Sequence, residues 1–154
     1  MPESVDIAAL TARLERLETA EAAREVTWRY ATAVDTVDFE LLAGVFAEHG
    51  SLTTRRGTIR GRDSIVAYYR PALADPVGRK HFLANQKVTW TAPGRATVES
   101  YFLFTYAGNG SSTIGWGNYV DTVEVVDGVG SIVDKTISID VHADSRAGWG
   151  GETE

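Results

Sequence analysis

The sequence predicts an α+β domain, with N-terminal helices packed in the concave face of a long, strongly curved, mixed or antiparallel sheet. Three observations lead there. Apolar residues recur at helical spacing through the first half and lose that period beyond Arg79. Four extended stretches then follow, at about 79–91, 95–107, 112–127 and 130–142, divided by Pro93-Gly94, Gly108-Asn109-Gly110 and Asp127-Gly128. Strands of that length twist strongly enough for their sheet to curl, and helices followed by a run of strands is an α+β order.

The elements follow in sequence. Leu10, Leu14 and Leu17 repeat at helical spacing with Arg13, Glu15, Arg16 and Glu18 between them, which predicts a first helix. A second helix is expected over about Ala20 to Thr36, its apolar stripe formed by Val26, Tyr30, Ala33, Val34 and Val37. Asp38 suits the N-cap of a third helix carrying Phe39, Leu41, Leu42, Val45 and Phe46, with Gly50 as its stop. A short hairpin over Ser51 to Arg60 turns near Arg56-Gly57. Asp63 or Ser64 is expected to cap a fourth helix, which Pro71 kinks or ends. Short turns between the four long stretches require antiparallel neighbours. Ile137, Ile139 and Val141 alternate with Ser138 and Asp140, whereas Tyr101 to Tyr106 reads as a strand covered on both faces. One domain is expected over residues 1–146, followed by a frayed Gly-rich tail over 147–154.

Composition narrows the function classes. At 154 residues with 44% hydrophobic content, the chain is long enough for one well-buried core. Its 15 Lys+Arg against 21 Asp+Glu give a net charge of −6, a poor match for nucleic acid or an anionic membrane. No run approaches the length of a membrane span, and the acidic N-terminus lacks the basic and apolar regions of a signal peptide, so a cytoplasmic location is expected. The absence of cysteine removes disulfides, thiolate nucleophiles and Cys-based metal sites. His49, His81 and His142 have no ligand spacing for zinc, and no cofactor is expected.

Several segments together carry a resemblance. Tyr30 to Asp35 forms a Tyr-x4-Asp helix end, followed by Asp38-Phe39 and by Leu42 with Phe46-Ala47. Ile59-Arg60-Gly61-Arg62 resembles a Gly-Arg element opening a helix, and His81-Phe82-Leu83-Ala84-Asn85 a His-x3-Asn strand. In this combination the chain resembles the nuclear-transport-factor-2-like superfamily, in particular its SnoaL-like branch, over about residues 18–142. The resemblance implies a cystatin-like cone, or α+β barrel, with one apolar pocket for a small ligand. It implies that Asp35 matches the helix aspartate of dehydratase and dehydrochlorinase types and His81 the strand histidine paired with it. Tyr30 falls where ketosteroid isomerases carry a tyrosine. The carboxylate that those isomerases need in the first strand is replaced by Thr53-Thr54, which argues against their chemistry.

An imidazole exchanges protons near neutral pH. A carboxylate on its second nitrogen fixes the tautomer and stabilises the imidazolium as it forms. Asp35 and His81 are therefore the candidate general acid–base dyad, with Tyr30 as a candidate donor to a leaving group or oxyanion. Alternation places Asn85 on the face of His81, where it would orient the substrate or the ring. Tyr69, Trp116 and Tyr119 are candidate substrate-binding aromatics, the last two pointing to opposite faces unless a bulge intervenes. Lys135 shares a face with Ile137 and Ile139 and is read as a snorkelling or edge lysine.

The expected activity is a cofactor-independent, dehydratase-like lyase acting on a small apolar, cyclic molecule. Enolisation by an isomerase or polyketide cyclase, and non-catalytic binding in an accessory protein, stay open. Apolar residues on both sides of the sheet predict a homodimer or homotrimer formed through it.

Overall fold

The computed structural model describes residues 6–74, 78–108 and 111–145. Three helices, α1 (Ile7–Thr36), α2 (Phe39–Val45) and α3 (Arg62–Ala72), pack on one six-stranded sheet. Its strands are β1 (Phe46–Thr54), β2 (Gly57–Arg60), β3 (Lys80–Ala92), β4 (Arg95–Gly108), β5 (Ser111–Val126) and β6 (Val129–Asp144). The spatial order is β2-β1-β6-β5-β4-β3. All neighbours are antiparallel except β1 and β6, so the sheet is mixed; it does not close. The tail beyond Ser145, Trp149 included, lies outside the described residues.

The two expected N-terminal helices are one. Nothing between Leu17 and Val26 breaks a helix, and Ala20, Ala22 and Ala23 favour it. Asp6 caps its start by accepting from the amides of Ala8 and Ala9 at 3.0 and 3.2 Å. Its end is abrupt. Val37 adopts a left-handed φ of 57°, and the Asp38 amide bonds back to the Ala33 carbonyl at 2.9 Å. Asp38 then caps α2, accepting from the Leu41 amide at 2.8 Å. That helix stops at Val45, and Phe46 opens β1 with its ring buried; the helical reading of Phe46 to Gly50 is corrected. Gly61, at φ 87°, holds the N-cap position of α3 in place of Asp63 or Ser64, and no side chain caps this helix. Pro71 sits in its last turn, and the helix ends one residue later.

The core fills the space between helices and sheet. Val26, Tyr30 and Val34 of α1 meet Leu42, Val45, Phe46, Leu52 and Ile65, and from the long strands Val98, Phe102, Tyr119, Val123 and Ile132. Side chains on the other face of the sheet remain open, with Phe82 57% and Tyr101 56% exposed.

Candidate active site

The end of α1 and the start of β3 bring Asp35 and His81 together. His81 Nδ1 lies 2.6 Å from Asp35 Oδ1, and the His81 backbone N–H donates to Oδ2 at 2.9 Å. One residue thus engages both carboxylate oxygens, which fixes the imidazole relative to the helix end. A carboxylate offers only lone pairs, so Nδ1 carries the hydrogen, and in the neutral ring Nε2 presents its lone pair. No described residue bonds Nε2. The side chains of the pair are only 10% and 9% exposed. Burial pushes the Asp35 carboxyl up. The hydrogen bonds from the His81 ring and backbone outweigh it, helped by the charges of His81 and Lys80, and the carboxyl is held below its usual range.

An aromatic row surrounds the imidazole on the helix-facing side of the sheet. His81 opposes Phe104 on β4, and Phe104 opposes Gly115 on β5. A Cβ at Gly115 would meet the Phe104 ring at 2.5 Å, so the glycine is what lets that ring lie across β5. Beyond it, His142 of β6 opposes Gly115 and stacks on Phe104 at 5.9 Å. His81 stacks on the same ring from the other side, also at 5.9 Å. Sequence spacing gave no hint of His142, because strand register alone places it in this row.

The three candidate tyrosines form a deeper cluster. Tyr30 and Tyr69 share a hydroxyl contact of 2.5 Å. The Tyr119 ring stacks on Phe102 at 4.0 Å and meets Tyr30 edge-on. Burial raises all three phenols well above their ordinary values, so they are neutral hydroxyls. Beneath them Lys135 Nζ donates to both Asp121 oxygens, at 2.9 and 3.0 Å, and faces the rings of Tyr119 and Tyr30 at 3.7 and 4.0 Å. Lys135 and Asp121 are both 0% exposed, which corrects the reading of Lys135 as an edge residue. Among the described residues no hydrogen bond joins this cluster to the dyad.

Two sequence candidates lie elsewhere. Asn85 adopts φ 50° at a break in the β3–β4 register between Ala84 and Lys87. The bulge ends the alternation, leaves Asn85 exposed, and turns Gln86 inward to bond Thr27 Oγ1 at 2.8 Å. Trp116 points to the outer face of the sheet. There it lines a groove of about 660 Å³ with Phe82, Ala84, Tyr101, Leu103, Asn118 and Asp140. This groove is on the side opposite the dyad, since Phe82 alternates away from His81, so it is separate from the proton chemistry.

Residues 15–133 match the SnoaL-like domain family. Solved structures of related shape cover nearly the whole chain. A hexachlorocyclohexane dehydrochlorinase, LinA type 3 from Novosphingobium barchaimii, matches with a TM-score of 0.76 at 15% identity, covering 92% of this chain and 97% of its own. A scytalone dehydratase-like protein from Novosphingobium aromaticivorans matches at 0.77 and 22% identity, over 84% and 89% of the two chains. An NTF2-like protein with a cystatin-like fold, also from N. aromaticivorans, matches at 0.72 and 27% identity, over 92% and 96%. No curated protein matches the chain. With three helices on a mixed open sheet and a family match over most of its length, the chain belongs to the SnoaL-like domain family, within the NTF2-like cystatin fold.

Proposed function

We propose that this chain is a small-molecule-converting enzyme that needs no cofactor and carries out a dehydratase-like β-elimination on a small apolar, cyclic substrate. The observation that carries this reading is the Asp35–His81 pair, in which both carboxylate oxygens are engaged and Nε2 is left with its lone pair. Two of the structural relatives bear the names of elimination enzymes, a dehydrochlorinase and a scytalone dehydratase-like protein, which supports the same chemistry.

The pair's geometry supports the following steps. His81 Nε2 takes a proton from a substrate carbon, and the C–H electron pair forms the new C=C bond. The bond to the neighbouring leaving group breaks, and the group departs with its electron pair, as halide while the imidazolium later gives its proton to solvent, or as hydroxide that takes that proton back from His81 Nε2 and leaves as water. Positive charge develops on the imidazole, and the Asp35 carboxylate beside Nδ1 stabilises it, while the backbone bond keeps the ring from turning. Phe102 and Phe104 give the substrate an apolar wall next to the base. Tyr30, Tyr69 and Tyr119 shape the interior behind that wall and are assigned to positioning.

The test is a panel of small cyclic halides and alcohols in heavy water, followed by NMR for elimination and for deuterium exchange at carbon. Wild type is expected to turn over at least one member. His81→Ala and Asp35→Asn are each expected to lose about 10²- to 10⁴-fold in rate with unchanged circular dichroism. Variants that keep the wild-type rate would refute the dyad.

A further inference from the structure

The first turns of α1 carry an apolar stripe that none of the described residues covers. Every residue from Ile7 to Glu18 is exposed, and burial begins only at Thr19. At 1.5 Å per residue this arm reaches about 18 Å beyond the core. Ile7, Leu10, Leu14 and Leu17 are 75%, 49%, 55% and 68% exposed. Their 3-4-3 spacing is that of alternating a and d positions of a heptad, the seam of a two-stranded coiled coil.

Helical geometry shows why the sheet leaves this seam bare. At roughly 100° per residue, Ile7, Leu10, Leu14 and Leu17 fall on one side of the helix, and Ala23, Val26, Tyr30 and Ala33 fall on the side opposite. The second set is buried in the core. Arg16, on the core side, lies over the Trp90 ring at 4.6 Å and fixes the arm's rotation relative to β3. Further along, the seam side passes exposed Glu21 and Arg24 and reaches Trp28, which is 61% exposed. Among the described residues, nothing therefore obstructs an approach along this side of α1.

The flanking charges say what covers it. With Ile7 and Leu14 at a and Leu10 and Leu17 at d, Arg13 takes a g position and Glu18 the following e position. In a parallel pair, g of one helix faces the next e of its partner, so Arg13 meets the partner's Glu18 on both edges. We propose that the Ile7–Glu18 arm is a homotypic interface, pairing in parallel with the same arm of a second copy of this chain. A coiled coil this short is marginal alone, so the association is reversible and concentration-dependent.

The test uses the full chain. Sedimentation equilibrium of wild type is expected to show a reversible, concentration-dependent step that Leu14→Glu removes while any assembly through the sheet stays, with circular dichroism and melting temperature unchanged, because Leu14 is exposed in the single chain. Arg13→Glu is expected to weaken association at least tenfold, and Arg13→Glu combined with Glu18→Arg to restore it. The chain has no cysteine, so Leu14→Cys reports orientation, and a parallel pair forms a Leu14→Cys cross-linked dimer on mild oxidation. A wild type that stays monomeric overturns the proposal, as does an association indifferent to Leu14→Glu, a double charge reversal that fails to rescue, or no cross-link at Leu14→Cys.

Discussion

At Lys135 an ammonium is enclosed by the two oxygens of Asp121 and by the faces of Tyr30 and Tyr119, with no surface reaching solvent. Burial alone drives the lysine pKa down and the aspartate pKa up, and each partner's charge opposes the shift of the other. The pair holds together because the two residues sit directly opposite on β5 and β6. Removing one partner leaves a buried uncompensated charge, so Asp121→Asn and Lys135→Met are each expected to cost about 3–5 kcal/mol. Joint replacement by Asp121→Leu and Lys135→Met removes both charges and is expected to recover most of that loss. Urea unfolding measures all three, and single variants as stable as wild type would contradict the account. This pair was not legible in the sequence, since alternation places a lysine on a face but cannot show that an aspartate from the next strand stands opposite it. The pairing of Asp35 with His81 was legible only through the family resemblance of the Tyr-x4-Asp helix end and the His-x3-Asn strand, because spacing alone does not bring a helix end and a strand start together.

At the scale of elements, the misreadings have specific physical causes. The interval between Leu17 and Val26 looked like a break because the apolar stripe changes sides of the helix there, although the backbone continues through good helix formers. Asn85 was assigned to the face of His81 by strict alternation, which a single left-handed residue in a bulge defeats. Phe46 kept the helical spacing of α2 but belongs to the strand. In contrast, the caps were read correctly at Asp38, where side-chain chemistry decides the local geometry. Asp38 joins two constraints: its amide closes the left-handed end of α1 and its carboxylate starts α2. Asp38→Ala keeps the first and removes the second. It is expected to cost about 1 kcal/mol, which for a chain of this size lowers the melting temperature by about 2–4 °C. Thermal unfolding with no change would mean that the α2 cap is not a stabilising contact.

For the whole molecule, the decisive asymmetry is between the two faces of one sheet. The helix-facing side is closed by α1, α2 and α3 and holds both the dyad and the tyrosine cluster. The other side leaves Phe82, Tyr101 and Val120 exposed, near the groove that Trp116 lines. Large apolar side chains left exposed around a groove suit an association surface. We propose that copies of the chain associate through this outer face, independently of the helical arm, whose seam points away from the sheet. The two interfaces make separable demands. Tyr101→Glu introduces a charge at the centre of the outer face on a side chain already exposed in the single chain, so folding should survive. Light scattering is expected to show loss of the sheet-mediated assembly in Tyr101→Glu, with arm pairing retained. In Leu14→Glu the sheet-mediated assembly should remain. A Tyr101→Glu variant with the wild-type mass and concentration dependence would show that the outer face is not an interface between copies.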